Sequence, residues 1–200
     1  MKLYHCVNSR SLRPLWALVE MGLDYELQTL PFPPRVFARE YKSVNPLGTV
    51  PAFVDGDLLM TESAAICQYL GERYGPTPLA LARDEAEYGL YLNWLHRSDA
   101  TLTFPQTIVL RYSMLEPDER KLPQAAADYR AWFLARWRSV EDALSARDYL
   151  CGGRFTMADI CVGFSLHLAR TIGIEEAMTP NVSAWAERIF TRPAFLKASG

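Results

Sequence analysis

Two rhythms of apolar and polar positions divide this chain, and they meet at Gly75-Pro76-Thr77-Pro78. Before that point, short apolar runs alternate with helical spacing. Residues 3–7 make one apolar run of strand length. Residues 13–21 place Leu15, Leu18 and Val19 at helical intervals, and Gly22 stands where a helix stops. Residues 25–30 read as a second strand, and residues 35–43 as a short, irregular helix ahead of the turn Asn45-Pro46-Leu47-Gly48. Two further strands, 50–54 and 58–60, flank Asp55-Gly56, which is strong hairpin chemistry. A helix from Glu62 to about Tyr74 closes the series. The order β-α-β-α-β-β-α predicts a mixed sheet with helices on its faces. Pro51 suits a strand start or an edge, because it cannot donate to an interior ladder.

Everything later carries the helical period. Residues 84–112 read as one long helical stretch with a bend at Phe104-Pro105, where proline removes a donor. From 122 to 144, Tyr129, Phe133, Trp137, Val140 and Leu144 recur every three or four positions. Thr156-Met157-Ala158-Asp159 has the form of a capping box opening another helix, with Phe155 placed to staple onto Ile160. A last helix spans 182–190 and stops before Arg192-Pro193. The fold class expected is therefore α+β: an α/β domain over 1–78 and an all-α bundle over 84–200.

Composition narrows the partners. Of the 200 residues, half are apolar and 22% are charged, with a formal net charge of -2, so neither nucleic acid nor an anionic membrane is an expected partner. The cysteines (Cys6, Cys67, Cys151, Cys161) lack paired CxxC spacing and read as reduced, buried thiols. The opening residues lack a signal-peptide core, so a cytoplasmic location is expected. His5, His96 and His167 have no ligand spacing, and no metal is expected.

Three short motifs carry candidate chemistry. In Asn45-Pro46-Leu47-Gly48-Thr49-Val50-Pro51, a cis bond before Pro51 would turn the Val50 backbone outward to pair with an extended peptide ligand. In Thr61-Glu62-Ser63-Ala64-Ala65-Ile66, Thr61 or Glu62 either caps the helix or takes part in a ligand site. In the second case the helix start and Ser63 hold a carboxylate, while Glu62 takes an ammonium. In residues 7–14, a hydroxyl either caps the first helix or donates a hydrogen bond that holds a ligand sulfur as thiolate.

The sequence NPLGTVPAF, followed by TESAAI and then by FTMADI in the second half, resembles the glutathione transferase superfamily over essentially the whole chain. The resemblance implies a thioredoxin-like first domain that binds glutathione as co-substrate. It also implies a helical domain that completes a pocket for a small electrophile, and a homodimer. It assigns Val50 and Pro51 to the glutathione cysteinyl backbone, and Glu62 and Ser63 to its γ-glutamyl group. Thr156 and Asp159 take a structural role. The catalytic position is Ser9 by its spacing to Arg13, with Ser11, Tyr4 and Cys6 as alternatives. The cysteine used by beta-like members is replaced here by Arg10. Phe104, Ile108 and Tyr112, at helical spacing, are the candidate electrophile wall, and equally a plain core stripe. Asp99 is a candidate for reaching the glutathione of a neighbouring subunit.

Energetically, lowering a thiol pKa of about 8.5 by about two units takes roughly 2.7 kcal/mol. A hydrogen bond to a charged partner supplies about 1.5–3 kcal/mol, and a helix N-terminus about 0.3–1 kcal/mol. One serine at a helix start thus covers most of the shift. Rival readings on the same fold are a glutathione-dependent isomerase, a peroxidase or thiol reductase, and a non-catalytic glutathione-binding protein.

Overall fold

A computed structural model describes residues 1–200, which separate into two compact units, Met1–Ala80 with Ile189–Gly200 and Leu81–Arg188. The first unit contains β1 (Lys2–His5), α1 (Leu12–Glu20), β2 (Glu26–Thr29), α2 (Pro34–Phe37), β3 (Ala52–Asp55), β4 (Leu58–Met60) and α3 (Ser63–Arg73). This is the expected β-α-β-α-β-β-α order in a thioredoxin-like arrangement. The sheet runs β2-β1-β3-β4, with β1 parallel to β2 and antiparallel to β3, and β3 antiparallel to β4. Pro51 lies just ahead of β3, an interior strand, so its missing donor costs no ladder bond.

Alternation along β1 sends Leu3 and His5 to one buried side and Tyr4 to the other. Tyr4 packs with Tyr41, Ala38 and Ala52, under α2 and the 3₁₀ turn Arg39–Ser43. Helix α1 buries every residue from Leu12 to Leu18, and it packs on α3. Its end has the glycine stop read from sequence. Gly22 adopts φ +63°, and the Leu23 N–H reaches the Leu18 carbonyl at 3.1 Å.

One helix was not legible in the periodicity: α9 (Pro193–Ser199), too short for the repeat to show. It packs on α1 within the first unit, where Phe195 lies 4.8 Å from the Trp16 ring. Glu20 accepts the Trp16 indole N–H at 3.0 Å and two bonds from Arg192 at 2.6 and 2.8 Å. Residues 189–200 therefore group with the sheet and not with the helices that precede them, although the hydropathy pattern ran them on with the bundle.

The second unit is helical: α4 (Tyr88–Arg97), α5 (Phe104–Leu110), α6 (Pro123–Leu144), α7 (Met157–Thr171) and most of α8 (Pro180–Phe190). Pro105, where the long stretch was expected to bend, sits in the first turn of α5. Between α4 and α5 the chain makes a π-helical turn, Ser98–Thr103, and a second one follows at Arg111–Leu115. Side chains add bonds to carbonyls of the first of these turns. Ser98 C=O accepts from the Thr103 hydroxyl at 2.7 Å and the Ser165 hydroxyl at 3.1 Å, and Leu102 C=O from the Gln106 amide at 3.0 Å.

The capping box is formed as read. Thr156 Oγ1 accepts the Ala158 N–H at 3.2 Å, and Asp159 accepts the Thr156 N–H at 2.9 Å. Asp159 also accepts from Leu150 N–H and the Trp185 indole, and burial lifts its carboxyl to about 6. No helix is long and apolar enough to cross a membrane.

Candidate functional site

The site candidates of the first unit lie where β1 runs into α1, where α3 begins, and on the loop that enters β3. After His5 the chain reverses through Asn8, whose φ of +56° is the one left-handed value outside glycine; asparagine tolerates it better than most residues. That turn folds Ser9 and Ser11 back onto the strand end. Ser9 Oγ lies 2.8 Å from the Cys6 carbonyl and 2.7 Å from Ser11 Oγ. Ser11 Oγ in turn lies 2.8 Å from His5 Nδ1 and accepts the Cys6 N–H at 3.1 Å.

Ser11 occupies the N-cap position of α1 yet makes no side-chain cap bond, and the first turn is closed by backbone bonds. The capping reading therefore fails for Ser11, while Ser9 Oγ does accept a backbone N–H at the helix start, that of Ser11 at 3.3 Å. Both are buried, Ser9 at 9% exposure and Ser11 at 0%, so Ser9 is the member of the pair nearest the surface.

The other two candidates for the catalytic position have different surroundings. Cys6 is fully buried, its thiol 3.8 Å from the Pro31 carbonyl, and burial pushes its pKa up to about 11. Tyr4 sits on the opposite side of β1 from His5, its ring 5.3 Å from Tyr41 and beneath the Lys2 ammonium.

At the start of α3, Glu62 is exposed, extended in backbone, and makes no side-chain cap bond, so it does not cap the helix. Ser63 is buried, and its hydroxyl oxygen accepts from Arg13 Nη1 at 2.9 Å. This bond ties the start of α3 to α1, four residues along from Ser9. Arg13 is itself fully buried. It entered the sequence reading only as a spacing marker, because nothing local distinguishes a buried arginine from a surface one.

The entry loop is braced throughout. Asn45, 1% exposed, donates to the Thr49 carbonyl at 2.8 Å and accepts the Leu47 N–H at 3.1 Å. The Tyr41 hydroxyl donates to the same carbonyl at 2.8 Å. Gly48 adopts φ +61°, and a Cβ there would meet the Arg35 Cβ at 2.8 Å, so both conformation and space require glycine. The Val50–Pro51 bond is cis, and the half-buried Val50 stands outside the ladder that begins at Ala52. Asn45 and Tyr41 are thus the residues that fix this loop, and sequence reasoning treated them only as turn and helix.

The candidate electrophile residues belong to the helical unit. Phe104 is 48% exposed, with its ring 6.4 Å from Tyr129, edge to face. Ile108 is half-buried on α5, and so is Tyr112. Tyr112 falls in the second π-helical turn, where the wider winding takes it off the straight i, i+4, i+8 line. Asp99 sits in the first π-helical turn, half-buried.

Comparison with known proteins bears on the same residues. The family model for the glutathione S-transferase N-terminal domain matches residues 1–72, and that for the C-terminal domain matches residues 110–193. Glutathione S-transferase F13 of Arabidopsis thaliana is 32% identical, over 100% of this chain and 94% of its own. Glutathione S-transferase 3 of Schizosaccharomyces pombe is 28% identical, over 96% of this chain and 84% of its own. Among solved structures, a ternary complex of BphK, a bacterial GST, superposes with a TM-score of 0.88 at 27% identity, covering 100% of this chain and 98% of that one. A sphingomonad glutathione S-transferase complexed with glutathione gives 0.87 at 27% identity, covering 100% and 97%. With both domain models matched in order on a thioredoxin-like sheet followed by a helical unit, the chain belongs to the glutathione S-transferase family and is a glutathione transferase.

Proposed function

We propose that this enzyme binds glutathione on its first unit, holds the thiol as thiolate through the Ser9 hydroxyl, and joins it to small, hydrophobic electrophiles. The observation that carries this reading is the place of Ser9: a hydroxyl at the edge of burial, at the start of α1, fixed by two neighbours. Cys6 is a poor rival, because a thiol with a pKa near 11 stays protonated at neutral pH. Val50, beside the cis Pro51, is taken to pair with the cysteinyl backbone of glutathione. Ser63 and the α3 N-terminus are taken to hold its γ-glutamyl carboxylate, and the exposed Glu62 its ammonium.

Phe104, Ile108 and Tyr112 serve as the electrophile wall on this reading; the exposed Phe104 ring supports it. A cytoplasmic homodimer with a detoxifying role is the accompanying proposal.

The test is the ultraviolet absorbance of bound glutathione thiolate, titrated over pH. Wild type is expected to show thiolate well below the free thiol pKa of about 8.5. Ser9→Ala is expected to raise the bound pKa by roughly one to two units, the worth of one hydrogen bond to a charged sulfur. Glutathione bound without any shift in either protein would refute the role of Ser9.

A further inference from the structure

We propose that His5 is a positioning residue for Ser9, acting through Ser11, and that its neutral ring carries its hydrogen on Nδ1. The inference rests on the reading of Ser9 given above and extends it by two residues. It follows from a count of hydrogens.

Three short contacts run in line: His5 Nδ1 to Ser11 Oγ at 2.8 Å, Ser11 Oγ to Ser9 Oγ at 2.7 Å, and Ser9 Oγ to the Cys6 carbonyl at 2.8 Å. Each needs one hydrogen, and the carbonyl has none to give. The two hydroxyls supply two. If His5 Nδ1 were the acceptor, Ser11 would spend its hydrogen on the ring. Ser9 would then have one hydrogen for two oxygens, and a bare O···O contact below 3 Å would remain. With the hydrogen on Nδ1, each of the three short contacts is filled and all run one way, ring to Ser11, Ser11 to Ser9 and Ser9 to the Cys6 carbonyl; the longer approach of Ser11 Oγ to that carbonyl, at 3.4 Å, is the one left without a hydrogen. Burial pushes the His5 pKa down, against a bond with the Ser11 backbone that raises it; in the neutral ring proposed here, the hydrogen on Nδ1 leaves Nε2 bare.

The same count fixes what Ser9 does. Its oxygen accepts from the Ser11 hydroxyl and from the Ser11 N–H at 3.3 Å, which fills both lone pairs. Ser11 Oγ is filled likewise, by His5 Nδ1–H and the Cys6 N–H. Ser9 can therefore only donate. Its hydrogen rests on the Cys6 carbonyl and turns to a bound sulfur, while that carbonyl keeps the Ser9 N–H at 3.3 Å. Ser9 is thus an anion stabiliser and not a base. The thiol proton goes to solvent; the sulfur's electron pair then forms the bond to the electrophilic carbon as the bond from that carbon to its leaving group breaks, the leaving group departing with that pair. A chain of donors aligned in one direction also strengthens its terminal bond by polarisation.

The experiment has two arms on the whole protein. Long-range ¹⁵N–¹H spectra of uniformly labelled wild type, with His5 assigned by substitution, are expected to show a protonated Nδ1 and a bare Nε2; the reverse pattern overturns the proposal. In the second arm, the bound-thiolate titration is run on Ser9→Ala, Ser11→Ala, His5→Phe and His5→Asn. The asparagine amide nitrogen stands as many bonds from Cα as Nδ1 does, and can donate in its place. Ser11→Ala and His5→Phe are expected to raise the bound thiol pKa by about half to one unit, a roughly three- to tenfold smaller ionisation constant. His5→Asn is expected to restore it, and affinity for S-methylglutathione should hold throughout.

Ser9→Ala combined with His5→Phe should read as Ser9→Ala alone. If Ser9→Ala shifts the pKa but Ser11→Ala and His5→Phe do not, the relay is overturned and Ser9 stands. If Ser9→Ala itself has no effect, the reading of Ser9 fails first. Should His5→Phe not fold, Ser11→Ala and the wild-type spectrum decide the matter without it.

Discussion

Replacing Thr156 by alanine removes one hydroxyl and one methyl from a site with no solvent, since Thr156 is fully buried at the head of a helix whose residues from Met157 to Leu166 are all buried. The hydroxyl accepts the Ala158 N–H at 3.2 Å and donates to Asp159 Oδ2 at 3.1 Å. Loss of the cap costs about 0.5–2 kcal/mol. The bond to the Asp159 carboxylate adds about 1.5 kcal/mol at the low end for a charged acceptor, and the methyl about 0.8 kcal/mol. Because cap and carboxylate share one hydroxyl, the parts do not sum in full, and about 3 kcal/mol is expected. At about 2–4 °C per kcal/mol for a chain of this size, the melting temperature should fall by about 6–12 °C. Thr156→Ser keeps the hydroxyl and should lose only about 1 kcal/mol. Urea denaturation followed by far-ultraviolet circular dichroism measures both. Equal losses for the two variants would refute the reasoning, since the methyl and not the cap would then be what the site needs.

Three further outcomes follow from the packing. Phe195→Ala should cost about 3–5 kcal/mol, because that ring is 7% exposed and sits 4.8 Å from Trp16 and 4.5 Å from Phe190; a loss below about 1 kcal/mol in urea denaturation would show that α9 does not hold α1. Cys6 should resist iodoacetamide at pH 8 in the folded protein, and Cys6→Ala should keep the low pKa of bound glutathione; rapid labelling of Cys6 would contradict its burial and its pKa of about 11. Glu85 is held down to about 2 by Arg154, which donates to both its oxygens at 2.8 Å. Its folded pKa lies below its unfolded value of about 4.3, so its contribution is present above that value and is lost as pH falls toward 2. Arg154→Met should flatten the acid limb of stability against pH between about 4.5 and 2, and an unchanged limb would rule the pair out as its source.

Much of this protein was legible in its letters, for reasons that are local. Strand and helix alternate in the first unit because apolar spacing sets which face is buried, and Gly22 and Asp55-Gly56 mark stops that backbone conformation demands. Thr156 to Asp159 reads as a capping box since both partners lie within one turn. Glu62, Ser63, Val50 and Pro51 were proposed as ligand residues from motifs, each of which spans only a few neighbouring positions.

What the sequence by itself determined ends where contacts join distant residues. Nothing near Arg13 says that it is buried or that it reaches Ser63, fifty positions away. Nor does periodicity show that α9 returns to α1, because seven residues make too few turns to display a repeat. Pro105 predicted a bend from its own missing donor. The π-helical turn that precedes it bonds, through the Ser98 carbonyl, to Ser165, a residue of α7. His5 offered no ligand spacing, and its place beside Ser11 arises only when Asn8 turns the chain back on the strand. Hydropathy and turn chemistry act over a few residues and fix the elements. Hydrogen-bond partners are chosen by burial, which is a property of the folded whole.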